Sequence, residues 1–347
     1  MSAADDEATG IEPRPPRETT VLYGHGEAES TLLAAYRGGR FPHAWLIGGP
    51  AGIGKATLAY RMARFVLAHP DPATPSVQNA TSLHVGADHP VARRVAAQAQ
   101  GDLLVLERTI NEKTNKLRQD IQVDDVRRTI TFFGSTPGEG GWRVAIVDSV
   151  DELNASGANA LLKVLEEPPR RAVLLLVSHS AARVLPTIRS RCRVLALRPL
   201  PVSDVASAAG AAAERLADDT EILAAAAVAD GSVRRALAFL QGDALDLRNR
   251  IMALLERLPA VDPRALHALG DRLYGTDAAT LAAFVDTVNA WLSTRLTAAA
   301  ADPARLARMA EMWERINVAA REVDEYNLER KPLVFNVFGW LAETAYR

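Results

Sequence analysis

Five short apolar runs separated by helix-patterned segments predict an α/β fold with a parallel sheet covered by helices on both faces. A glycine-rich loop directly after the first run, and the loss of every strand signal after Pro199, complete the outline. Ala44 to Gly48 is the first run, and Leu58, Met62, Phe65 and Val66 follow it at helical spacing. Leu103 to Leu106 is the second run and Trp142 to Val147 the third. Leu153 to Glu167 then reads as a helix stopped by Pro168 and Pro169. Ala172 to Val177 and Val194 to Leu197 supply the last two runs.

Beyond Pro199 and Pro201, alanine and leucine dominate. Ser203 to Leu240 reads as short helices forming a small lid. From Leu247 onward the chain is helical. Leu281, Phe284, Val285, Val288, Trp291 and Leu292 share one face, as do Leu306, Met309, Trp313 and Ile316. Both stripes are expected to pack inside their own domain, with help to neighbouring subunits left open. Pro332 suits the first turn of a final helix carrying Phe335 and Phe338. The expected organisation is a disordered tail over 1–18, a base domain over 19–199, a helical lid over 200–243 and an all-helical domain over 244–347.

A chain of 347 residues accommodates two or three such domains. Its net charge of −2 gives no sign of independent nucleic-acid binding through counterion release. Cys192 is the sole cysteine, which excludes an internal disulfide and a thiolate zinc site. The opening segment lacks the apolar core of a secretory signal, and no run approaches the roughly 20 apolar residues of a spanning helix. A soluble, cytoplasmic protein is expected.

The chemistry-bearing signature is Gly49-Pro50-Ala51-Gly52-Ile53-Gly54-Lys55-Ala56, a phosphate loop up to its last position. Glycines let backbone N–H groups converge on phosphate oxygens, and the positive end of the following helix adds to them. Lys55 would reach the β and γ phosphates. The next residue normally supplies a hydroxyl to magnesium. Ala56 has none, and Thr57 lies about 100° further round the helix, a poor substitute.

Val144-Ala145-Ile146-Val147-Asp148-Ser149 is an apolar strand ending in a carboxylate. Asp148 fits a Walker B residue that orients magnesium or its water shell. A strand-end aspartate capping the next helix fits the same place. A water-polarising glutamate would normally come next, and Ser149 cannot replace it at neutral pH. Asp151 and Glu152 lie further along, on the following segment. The expectation is weak binding of ATP or ADP and negligible hydrolysis.

Four further segments carry a resemblance. His43-Ala44-Trp45-Leu46, Asn159-Ala160-Leu161-Leu162-Lys163-Val164-Leu165-Glu166-Glu167-Pro168-Pro169, Ser190-Arg191-Cys192 and Gly231-Ser232-Val233-Arg234-Arg235-Ala236-Leu237 resemble, in the family's order along the chain, segments of bacterial DNA polymerase III clamp-loader subunits, which are AAA+ proteins. The resemblance covers about Leu22 to Leu240. The C-terminal third matches only in length and helical character, as a collar that joins a ring of subunits.

The resemblance implies that Arg191 is an arginine finger reaching the ATP site of a neighbouring subunit, where a guanidinium offsets charge on the transferred phosphoryl group. Arg234 would be a phosphate sensor within the chain. An exposed helix arginine fits that position too. Ser178 and His179 fall where a polar sensor after the fourth strand belongs, and a structural histidine is an equal reading. Cys192 reads as a small buried filler. Many relatives carry a four-cysteine zinc module in the region corresponding to about Pro70 to Gly101. With only His84 and His89 there, no zinc is expected.

Within the family, Ala56 and Ser149 favour the delta-prime branch over the ATP-hydrolysing gamma/tau motor. The implied partners are gamma/tau and delta subunits in a heteropentameric ring, with the sliding clamp and primer-template DNA met through the complex. A free-standing P-loop ATPase or kinase and a regulatory AAA+ adaptor are the competing readings.

Overall fold

The computed structural model describes residues 14–111, 116–118, 120–134, 141–180, 183–274, 278–298 and 302–345. Two compact units emerge, Met1–Leu237 and Ala238–Arg347. The helices expected as a lid therefore fall mostly within the first unit.

The first unit opens with α1 (Gly26–Arg37), β1 (Ala44–Gly48) and α2 (Lys55–Ala68). Short helices α3 (Pro75–Gln78) and α4 (Pro90–Ala96) lead to β2 (Leu103–Leu106). A small antiparallel pair, β3 (Ile110–Asn111) and β4 (Lys116–Leu117), precedes α5 (Val123–Gly134) and β5 (Arg143–Val147). A 3₁₀ turn over Val150–Glu152 leads to α6 (Ala155–Glu166), β6 (Ala172–Ser178), α7 (Pro186–Arg189) and β7 (Arg193–Ala196). Helices α8 (Val202–Ala213), α9 (Thr220–Val228) and α10 (Val233–Phe239) close the unit, the division falling within α10.

The main sheet runs β2-β5-β6-β1-β7, with every neighbouring pair parallel. Strands β1, β5 and β6 are buried at every position because both faces are covered, whereas β7 is largely exposed. On one face Trp45, Ile47, Ile146 and Leu175 pack with Leu32, Leu58, Met62 and Phe65 from α1 and α2. On the other, Leu46, Val147, Leu174 and Leu176 meet Val126, Leu161, Leu165 and Ile188 from α5, α6 and α7. The predicted α/β architecture is thus present, with strand ends displaced by one residue at β5, β6 and β7. β7 is an edge strand, and the Arg193 guanidinium lies 5.0 Å from the centre of the Trp45 ring on its neighbour.

Residues 14–18 correct the expected tail. Arg64 is buried, and its guanidinium donates to the Arg17 carbonyl at 2.9 Å and the Thr19 carbonyl at 2.5 Å. Arg61 donates to the Thr20 carbonyl and pairs with Glu29 at 2.6 Å. A buried guanidinium needs acceptors, and main-chain carbonyls supply them wherever a segment lies alongside. Residues 1–13 lie outside the described residues.

The second unit comprises α11 (Ala244–Leu255), α12 (Pro263–Leu273), α13 (Ala278–Ala298), α14 (Pro303–Glu325) and α15 (Arg330–Ala345). Leu281, Phe284, Val288 and Leu292 are buried as their spacing predicts, with Val285 and Trp291 at the core's margin. The second stripe divides: Met309 and Ile316 enter the core, whereas Leu306 and Trp313 are exposed. Residues seven apart on a helix recur at nearly the same angle, so this stripe is two rows, and the core covers only one. Asn289 and Asn317 exchange side-chain hydrogen bonds of 2.9 and 3.1 Å, fixing the register of α13 on α14. Phe338 is buried, and Phe335 meets the His267 ring at its margin.

Among the described residues, no helix is long and apolar enough to cross a membrane. His89 caps α4, its Nδ1 accepting from the Val91 amide at 3.2 Å. No group of three or more His, Cys, Asp or Glu side chains that could hold a metal ion occurs among the described residues.

Leu175 pairs in register with both Trp45 and Ile146 and is fully buried. Leu175→Ala is expected to cost the first unit about 3 kcal/mol through the lost burial and the cavity left behind. A denaturant titration checks this, and an unchanged midpoint would contradict the packing described.

Candidate phosphate site and exposed arginine

In a parallel sheet, the segments following each strand gather at one edge, where α/β proteins assemble their sites. Here that edge brings together the loop after β1, Glu107 and Arg108 after β2, Asp148 and Ser149 after β5, and His179 after β6.

The loop from Gly49 leads into α2 through Gly54, which caps the helix in a left-handed conformation without a side-chain hydrogen bond. Gly49 and Gly52 also have positive φ values of 151° and 76°. A Cβ at Gly49 would stand 2.6 Å from the Leu197 carbonyl oxygen, so only glycine fits. Lys55 is 3% exposed and folds back onto its own loop, donating to the Gly49 carbonyl at 2.7 Å and the Pro50 carbonyl at 2.5 Å. Burial lowers its pKa to about 8, against the opposing pull of Asp148 and Asp151.

The start of α10 rests on the same loop. The Arg234 amide donates to the Gly52 carbonyl at 3.3 Å. A Cβ at Gly52 would meet Ser232 Oγ at 2.3 Å and Arg234 Cβ at 2.6 Å. The backbone of Arg234 therefore touches the phosphate loop, while the residue is exposed. Ile53 is buried behind the loop, and its carbonyl engages His25 Nε2 at 2.7 Å.

The Asp148 amide donates to the Leu106 carbonyl at 2.8 Å, extending the β5–β2 ladder and fixing the carboxylate at the strand end. Burial raises the Asp148 pKa, and His179, Lys55 and Arg108 pull it back. Glu107 is raised as well, by burial and then by the charge on Asp148. Ser149 is a non-glycine residue at φ 69°, a conformation that costs energy and recurs at functional positions. Its hydroxyl lies 3.0 Å from His179 Nε2, and the His179 amide donates to Asp151 Oδ1 at 3.0 Å. Burial first, and Lys55 next, hold the His179 imidazole below its usual pKa. Ser178 is fully buried, its Oγ accepting from the Ser180 amide at 3.1 Å.

The loop and the helix start fit a phosphate group. The metal position does not fit: Ala56 and Ser149 place a methyl and an already engaged hydroxyl where magnesium and water would need an oxygen ligand and a base. Thr57 follows Ala56 on α2 and is partly buried.

Arg191 lies elsewhere, just beyond α7. Its Nη1 donates to the Thr187 carbonyl at 3.0 Å and its Nη2 to Glu166 Oε1 at 2.7 Å. The side chain is 36% exposed and that of Glu166 50%. Ser190 Oγ donates to the same Thr187 carbonyl at 3.1 Å, so the Ser-Arg pair closes the helix while turning the arginine outward. Cys192 packs against the core, and burial pushes its thiol up to about 12, which removes thiolate reactivity at neutral pH.

Pattern reading missed Glu107, Arg108 and His25. For the first two a signal existed, because a charged pair directly after an apolar run of a parallel sheet ends at the same edge as Asp148. His25 gave none; its approach to Ile53 depends on the path of the chain before α1.

A family profile described as DNA polymerase III, delta subunit, matches residues 24–201. The DNA polymerase III subunit delta' of Pseudomonas aeruginosa is 39% identical over 159 residues, covering 46% of this chain and 44% of that protein. Its Escherichia coli counterpart is 30% identical over 234 residues, covering 67% and 64%. The gamma/tau subunit of Mycobacterium tuberculosis is 28% identical over 279 residues, covering 79% and 46%. The chain therefore spans less than two thirds of the length of each of these relatives.

Gly52→Ala would force a Cβ into Ser232 and Arg234 at a positive φ, and is expected to destabilise the first unit by about 1–3 kcal/mol. Gly86→Ala, where an added Cβ meets nothing within 4 Å, serves as the control. Equal melting temperatures for the two variants would mean that α10 does not rest on the loop.

Proposed function

Because the chain belongs to the DNA polymerase III delta-subunit family, we propose that it is a clamp-loader subunit of the delta-prime kind. It supports ATP-driven loading of a sliding clamp onto primed DNA in the cytoplasm, and its own phosphate site contributes little hydrolysis. Its partners are gamma/tau and delta subunits in a heteropentameric ring, and it reaches clamp and primer-template DNA through that assembly. It carries no zinc.

One observation carries the trans-acting part of this reading. The side-chain partners of Arg191 are Thr187 and Glu166 on α7 and α6, not the phosphate loop of its own chain. A guanidinium at an exposed edge suits a phosphate that belongs to an adjoining subunit. There it offsets the charge that develops on the transferred phosphoryl group, and only once the subunits are seated. The damaged metal position explains why such a subunit lends a cation instead of turning over nucleotide itself. A free-standing P-loop ATPase or kinase would need the hydroxyl that Ala56 lacks. A gamma/tau-type motor would need a carboxylate where Ser149 bonds His179.

Arg191→Ala is expected to lower ATP hydrolysis by the reconstituted assembly about tenfold or more, measured in the presence of clamp and primed DNA. Unchanged turnover in an intact assembly would contradict the role.

Nucleotide held by this chain would contact the charged form of Lys55. Below pH 8 that ammonium is already protonated, so affinity should be flat with pH. Above pH 8, binding must first restore a proton, and affinity should fall by up to about tenfold per pH unit. Titration of the isolated chain with ADP between pH 7 and 10 checks this. A flat profile throughout would show that Lys55 does not contact phosphate.

A further inference from the structure

Arg191 does not swing freely in the chain. Its guanidinium is held at two points: one Nη by the last turn of α7 through the Thr187 carbonyl, the other by the Glu166 carboxylate at the end of α6. The Thr187 carbonyl and the backbone that carries Glu166 belong to the packed framework, while the Glu166 carboxylate itself is half exposed. The ends of α6 and α7 are anchored by Leu165 and Ile188, each buried in the same core. Two bonds to separate supports restrain the plane of a guanidinium as well as its position, because its donors lie in a rigid fork. A single bond would leave rotation about its axis.

From this we propose that Glu166 is a positioning residue for Arg191, setting the orientation of the guanidinium before an adjoining subunit arrives. The inference deepens the trans-acting role given above and rests on it. An arginine has several rotatable bonds, and their freedom must be lost when the side chain enters a phosphate site. A side chain already aligned loses less at that moment, and a small misalignment at a reacting phosphate reduces rate steeply. The pair is half exposed, so its contribution to folding is small. A conserved fold with altered turnover is therefore the expected signature of removing it. The carboxylate acts as an acceptor at a fixed distance, so a neutral acceptor of the same length should retain most of the effect.

The test compares the full chain with Glu166→Ala, Glu166→Gln and Arg191→Ala, each reconstituted with gamma/tau, delta, clamp and primed DNA. Positioning predicts that Glu166→Ala lowers kcat for ATP about threefold to tenfold, with KM and assembly affinity unchanged. Glu166→Gln should stay within about twofold of the parent, since its amide oxygen still accepts from Nη2. A Glu166→Ala kcat equal to or above the parent would overturn the proposal, as would a change confined to KM or assembly. Equal losses in the alanine and glutamine variants would also overturn it, because charge and not alignment would then be at work. If Arg191→Ala itself leaves turnover unchanged, the trans-acting reading fails and takes this inference with it. If Arg191→Ala slows turnover while Glu166→Ala does not, only the positioning claim fails.

Discussion

The ammonium of Lys55, buried against the carbonyls of Gly49 and Pro50, is the interaction on which the rest of the site depends. Removing a charge from water costs on the order of several kcal/mol, and the protein offsets that in three ways. Loop carbonyls accept its hydrogens, Asp148 and Asp151 supply opposite charge, and part of the mismatch remains as a lowered pKa. The same arrangement explains the neighbours. Carboxylates at the ends of β2 and β5 are crowded into a partly buried edge, so Glu107 and Asp148 are both pushed up. His179 is pushed down by burial first and then by the charge of the same lysine. A loop that meets its own lysine and is covered by the start of α10 is satisfied as it stands. An incoming phosphate must compete with those contacts.

The parallel sheet makes this concentration of charge possible. Its central strands β1, β5 and β6 are buried at every position and turn their side chains alternately into two cores, so packing holds them side by side. Their carboxyl ends then coincide, and the polar residues that follow them bond one another there, as Ser149 does His179. The polar edge is a consequence of the apolar interior, which is why like charges can be tolerated there at the expense of shifted pKa values.

Much of this was readable from the residues. Runs such as Ala172 to Val177 identify strands buried on both faces, and Gly49 to Lys55 identifies a phosphate loop in its proper context. The missing oxygen ligand at Ala56 and the missing carboxylate at Ser149 are visible in one dimension. Other features required three dimensions. Arg61 and Arg64 look like ordinary helix arginines, and only burial shows that they recruit the carbonyls of Arg17, Thr19 and Thr20 and so hold a segment of tail-like composition. The stripe of Leu306, Met309, Trp313 and Ile316 is apolar throughout, yet one row faces the core and the other does not. The partnership of Glu166 with Arg191 joins residues 25 apart, and no periodicity encodes it.

The loop from Gly49 to Lys55 keeps the form of a phosphate cradle, while Ala56 and Ser149 stand where a metal ligand and a carboxylate base are expected. Phosphate release from the purified chain, with saturating ATP and magnesium, tests that most directly. No turnover above the background of Lys55→Ala is predicted. Steady turnover that the Lys55→Ala substitution abolishes would contradict the account.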